Sequence, residues 1–183
     1  MIVTQLKRNI EIYIPRIYRS QVSTRNIEQA ALLVLDIVIP DISCQLSISL
    51  CSSGAIRKVN LEYRGEDKAT DVLSFSSEFP GEWQGMELQK ENTKIEQFLL
   101  PPNQLPTIGE ILICFPEAKR GAKKSGSTIL KEIALLVIHG ILHVLGYDHG
   151  NTSDKAHMWK IQKRALSEFM EISDNPGPNH PTI

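Results

Sequence analysis

The stretch HGILHVLGYDH places His139, His143 and His149, three of the chain's five histidines, within eleven residues. Residues 139 and 143 are four apart, so on an α-helix their side chains leave the same face with Cβ atoms roughly 6 Å apart. Two imidazoles so placed can meet one ion at about 2.0 to 2.1 Å. Gly146 suits the left-handed residue that ends such a helix, and the turn it makes would return His149 over the same face as a third ligand. Three neutral imidazoles leave a fourth position for water, the pattern of a catalytic rather than a structural site. One divalent ion is therefore expected, zinc by default and nickel as the alternative. Three histidines and a glycine at these offsets should arise by chance in roughly a few of ten thousand such chains. His157 and His180 have no partner at useful spacing and read as surface residues.

The spacing H-x3-H-x2-G-x2-H is also that of the metzincin proteases, in which the residue after the first histidine is the glutamate general base. Here that residue is Gly140, so a peptidase of that mechanism lacks the group that takes the proton; a glycine there reads instead as a point of close packing. Phosphodiester cleavage is a natural alternative, because an ion of this kind lowers the pKa of bound water to about 7 and neutralises charge on a phosphoryl oxygen. Such chemistry calls for a fixed cation near the phosphate. Arginine is the best candidate, since its planar fork stays charged and grips phosphate with two hydrogen bonds.

The elements that must position these groups follow from periodicity. NIEIYI (9–14) and CQLSISLC (44–51) alternate apolar and polar residues and predict strands; DVLSF (71–75) is a third strand-like run. Residues 24–39 carry Ile27, Ala31, Val34 and Val38 on one face behind Ser23 and Thr24, good caps, and predict an amphipathic helix. A short helix is expected over 53–63. IGEILICF (108–115) is apolar nearly throughout and predicts a strand interior to the sheet. A basic segment, PEAKRGAKKSG, leads from it into the histidine helix, expected over 128–145, and a last helix is expected over 154–171. The result is one α+β domain over 1–172, with an acidic surface insertion at about 78–106 and a flexible tail over 173–183.

Composition agrees. The chain has 183 residues, 42% hydrophobic and 22% charged, enough for one packed core. No apolar run approaches the roughly 18 residues of a membrane span, and no signal or transit segment is recognisable, so a soluble, cytoplasmic protein with no membrane partner is expected. Cys44, Cys51 and Cys114 are odd in number and sit in apolar runs; they read as reduced core residues. The net charge is -1, and residues 78–97 hold five Glu against two Lys, leaving -3 there and +2 elsewhere. Basic groups cluster at Arg57, Lys58, Arg64 and Lys68, and at Lys119, Arg120, Lys123 and Lys124.

With these residues in view, the sequence resembles a known family. HGILHVLGYDH is similar to the H-G-x-L-H-L-x-G-Y-D-H signature of the YbeY endoribonucleases. NLEYRGEDKATDVLSF (60–75) is similar to that family's N-x-x-Y-R-x-x-D-K-P-T-D-V-L-S-F, and IGEILIC, more weakly, to its L-G-D-I-x-I-C. The resemblance covers about residues 8–170. It implies a small mixed sheet of four strands flanked by helices, with a zincin-like metal helix, and places the metal ligands on His139, His143 and His149 and a functional arginine on Arg64. It further implies metal-dependent endonucleolytic cleavage of single-stranded RNA, in 3′-end maturation of the small-subunit (16S) ribosomal RNA and in ribosome quality control, with the ribosome or its proteins as partners.

On this reading Arg64 holds the scissile phosphate, and the basic groups at 57, 58, 68, 119, 120, 123 and 124 follow the RNA backbone. Asp148 reads as a carboxylate that steadies the turn rather than a base. Tyr147 could stack on a base or pack in the core. Ala69 replaces the family's proline, and Glu110 stands where an aspartate is common. Two other classes remain open: a metal-dependent hydrolase of another substrate, peptidase-like but with a different base, and a non-catalytic ribosome-associated factor whose metal is structural.

Overall fold

The computed structural model describes residues 6–77, 105–147 and 152–174. In chain order the elements are β1 (Arg8–Tyr13), a 3-10 turn (Arg16–Tyr18), α1 (Thr24–Val38), β2 (Cys44–Cys51), α2 (Ser53–Arg64), β3 (Val72–Ser76), β4 (Thr107–Cys114), α3 (Phe115–Ser125), α4 (Ile129–Val144) and α5 (Thr152–Asp174). The four strands form one mixed sheet in the order β1-β2-β4-β3, with β1, β2 and β4 parallel and β3 antiparallel along β4. The expected α+β class and four-stranded sheet are therefore present, and β4 lies inside the sheet as its apolar sequence required.

The period of two along each strand sorts the sheet into two faces. Leu46, Ile48 and Leu50 of β2 and Ile111 and Ile113 of β4 point into a large core shared with α1, α4 and α5. The alternate residues Leu73 and Phe75 of β3 and Leu112 and Cys114 of β4 point the other way, into a smaller cluster closed by Ile56 and Val59 of α2. So α2 covers the face opposite to α4. Each fully buried Leu or Ile contributes about 1.5–3 kcal/mol relative to exposure, which makes the larger face the main source of stability.

Helix ends follow local chemistry. The Thr128 hydroxyl accepts from the Lys131 amide at 3.1 Å and Ser52 from Ala55 at 3.3 Å, each satisfying a first-turn donor. Ser23 stands at the N-cap of α1 but makes no such bond. At the other end of α1, Arg8 of β1 reaches the carbonyl of Ile39 at 2.7 Å and pairs with Asp36.

Two expectations need correction. The basic segment after β4 is a helix, α3, not a connector. Its apolar face consists of Phe115, Ala118 and Ala122, mostly small residues, and Gly121 sits in its middle. A Cβ at that glycine would lie 2.5 Å from the end of the Glu132 side chain on α4. The second correction concerns length. α5 begins at Thr152 and continues to Asp174, 23 residues against the 18 expected over 154–171. The three cysteines are free and buried, as expected, with Cys51 and Cys114 register partners at the ends of β2 and β4. The acidic stretch 78–104 and the tail 175–183 lie outside the described residues. No single described helix is long and apolar enough to cross a membrane.

Candidate metal centre

α4 is apolar over most of its surface and buries Ile133, Leu136, Val137, Ile138, Ile141, Leu142 and Val144. The two histidines occupy its last two turns. Their Nε2 atoms converge to 3.1 Å, and the rings stand edge to face with centroids 4.5 Å apart. Two nitrogens bound to one tetrahedral ion at about 2.0–2.1 Å are about 3.3 Å apart, so these two residues fit a shared metal with almost no rearrangement. His143 is buried at 8% exposure, and His139 is half-buried.

His139 has a partner that its sequence neighbourhood did not announce. Its Nδ1 lies 2.9 Å from Oε1 of Gln162 on α5. An amide oxygen only accepts, so this contact is a hydrogen bond when Nδ1 carries the proton. Beyond the helix Gly146 adopts φ 83°, the left-handed turn expected of it. Tyr147 packs against the main core and stacks on His157 of α5 at 5.7 Å, so His157, though exposed, is in contact with the turn. Asp148 and His149 lie outside the described residues. Among the described residues no group of three or more His, Cys, Asp or Glu could hold a metal ion.

Gly140 points at the sheet. A Cβ on it would come within 2.9 Å of Ile111 Cγ2 and 3.1 Å of the Ser74 hydroxyl. The packing reading of this glycine is thus correct, and it has a chemical consequence: a glutamate here would run into β3 and β4 rather than face the histidines. Gly109 does the same from the strand side, where a Cβ would meet the Phe75 carbonyl at 2.3 Å and Val144 at 2.8 Å. These two contacts seat the end of α4 against β4 and the edge strand β3.

Arg64 is the last residue of α2 and is exposed. The preceding Tyr63 packs edge-on against Phe75 of β3 at 5.1 Å, and Phe75 pairs with Glu110 of β4. Val144, at the end of α4, lies against the neighbouring Gly109. α2 and α4 therefore end at the same end of the sheet, on opposite faces, with edge strand β3 between them. The structure brings Arg64 to the histidines' end of the molecule.

The other basic residues divide. Arg57 makes a two-pronged bridge to Asp67, at 2.7 and 2.6 Å, and Lys68 pairs with Glu66 at 2.9 Å. The hydrogen bond from Arg57 holds the Asp67 carboxyl below its usual range, and that from Lys68 does the same for Glu66. Asn60, buried, donates to the Lys68 carbonyl at 2.9 Å, closing the turn that follows α2. Arg120 pairs with Glu117, and Lys119 reaches Gln21 at 3.5 Å. Lys58, Lys123 and Lys124 are exposed. Because α3 begins where β4 ends and leads into the start of α4, its four basic residues lie at the end of the sheet opposite to Arg64 and the histidines.

The family model for "Endoribonuclease YbeY" matches residues 15–170. A protein of Dehalococcoides mccartyi strain CBDB1 named Endoribonuclease YbeY is 34% identical over 164 residues, covering 89% of this chain and 94% of that one. A second so named, from Brevibacillus brevis, is 35% identical over 129 residues, covering 70% and 77%. This chain belongs to the YbeY endoribonuclease family. A solution structure of a Thermotoga maritima protein, 26% identical, agrees in fold with a TM-score of 0.56 over 94% of this chain and 99% of that one. The YbeY match spans every element from the 3-10 turn after β1 through the first five turns of α5, so His139, His143, Arg64 and Gln162 all fall inside it.

Proposed function

We propose that this chain is a metal-dependent endoribonuclease that cuts single-stranded RNA, working on the 3′ end of small-subunit (16S) ribosomal RNA and in ribosome quality control. The observation that carries the reading is the 3.1 Å approach of the His139 and His143 Nε2 atoms. His139, His143 and His149 would hold one Zn2+, or Ni2+, which when bound supplies Lewis-acid chemistry at a phosphoryl oxygen. The chain's own groups do the rest. Gln162 keeps the His139 proton on Nδ1, away from the ligand lone pair. Arg64, at the same end of the sheet, would bind the scissile phosphate and offset the charge that builds on it in the transition state. Exposed Lys58, Lys123 and Lys124 are available to RNA phosphates at once, whereas Arg57, Lys68 and Arg120 would first exchange a carboxylate partner. The packing of Gly140 counts against a peptidase of the metzincin type, because no carboxylate fits there.

The test is cleavage of an end-labelled single-stranded RNA by zinc-loaded protein beside two variants. His143→Ala should bind less metal and leave the RNA intact. Arg64→Lys keeps the charge but loses the planar fork, and should bind metal normally while cutting about a hundredfold more slowly. Equal cutting by wild type and His143→Ala, or no cutting by either, would remove the nuclease reading. Full activity in Arg64→Lys would remove the arginine from the site.

A further inference from the structure

Resting on the metal reading above, the geometry points to Gln162 as a positioning residue that selects the tautomer of His139 and so prepares one ligand before any ion arrives. A neutral imidazole has one N–H and one lone pair, and the partner of one nitrogen decides which nitrogen keeps the proton. The Gln162 Oε1 lies 2.9 Å from Nδ1 of His139 in a partly buried contact between two helices, the residues being 23 apart in sequence. The amide is held in place by its own helix: Met158, four residues before it, and Ala165, three after, are both fully buried in the core that α5 shares with α4. With the proton on Nδ1, the His139 Nε2 lone pair faces the His143 Nε2 at 3.1 Å, and His139 is a ligand ready in advance.

Nitrogen-15 spectra of the metal-free full chain, labelled at histidine and recorded at mildly alkaline pH, should find His139 as the Nδ1–H tautomer. Gln162→Leu, which is apolar and similar in reach, should lose that preference and weaken Zn2+ binding by about 10- to 100-fold in calorimetry. Gln162→Glu keeps an acceptor at the same place and should retain both the tautomer and the affinity, which separates loss of the acceptor from damage to the α4–α5 packing. The proposal is overturned if wild-type His139 carries its proton on Nε2, or if Gln162→Leu leaves tautomer and zinc affinity unchanged. Because the tautomer is read without metal or RNA, a protein that binds no zinc or cuts no RNA would end the functional reading while still deciding the role of Gln162.

Discussion

In the last two turns of α4 the imidazoles of His139 and His143 turn toward each other. In the segment from Asn60 to Phe75 several polar side chains are spent on the backbone and on one another. Asn60 holds the Lys68 carbonyl, Arg57 holds Asp67, Lys68 pairs with Glu66, and the Asp71 carboxylate accepts from Thr70 and from the Val72 amide. Both segments carry a family signature, yet the first brings two imidazole nitrogens to 3.1 Å while the second mainly fixes the turn between α2 and β3, beside Arg64.

The sharpest way to break this contrast is at Gly140. Gly140→Ala adds a Cβ 2.9 Å from Ile111, and overpacking of this kind costs about 1–3 kcal/mol. Helix propensity returns about 1 kcal/mol, so a net loss of up to about 2 kcal/mol is expected in urea unfolding. Gly140→Glu, which restores the residue a metzincin uses, should lose more, because an uncompensated buried charge costs about 3–5 kcal/mol. A Gly140→Glu protein as stable as wild type and able to cut peptides would show that this position faces the histidines after all.

Much of this was legible in advance, and the reasons differ by residue. The spacing of His139 and His143 is the helical period itself, so their convergence followed once the helix was recognised. Gly146 was readable because only a left-handed turn suits the end of that helix, and β4 because an unbroken apolar run needs cover on both faces. α3 escaped because its buried face is mostly small residues, Phe115 with Ala118 and Ala122, and a glycine sits in its middle. Gln162 escaped for another reason: glutamine is common on helix surfaces, and a contact between residues 23 apart on different helices leaves no local pattern. The basic residues were read as one track for RNA. Arg120 with Glu117 was visible as an i,i+3 pair, but Arg57 with Asp67 depends on the turn and could be seen only in three dimensions.

A smaller effect than that of Gly140→Glu is expected at Asn60, where the comparison can be tested from the other side. Asn60→Ala removes a buried donor and leaves the Lys68 carbonyl without its partner, which should cost about 1–3 kcal/mol. Zinc affinity, measured in the folded variant, should stay at the wild-type value. A fall in zinc affinity with unchanged stability would mean that this segment acts on the metal centre directly rather than through the turn.

The smallest effect, and the most specific, belongs to Asp67. Its two hydrogen bonds occupy the Arg57 guanidinium, so any phosphate contact by Arg57 must displace a carboxylate. Asp67→Asn weakens that competitor. Binding of a fluorescent single-stranded RNA, measured in a His143→Ala background, should tighten and become more salt-dependent, the logarithmic slope steepening by about 0.7 for one added phosphate contact. Acid would be a poorer probe. The Asp67 pKa is depressed in the folded chain, so its pairing is present at and above the ordinary carboxylate range and is lost only as pH falls through the lowered value, where other carboxylates titrate as well. An unchanged slope in Asp67→Asn would place Arg57 outside the RNA path and leave its bridge as one more contact that folds the turn carrying Arg64.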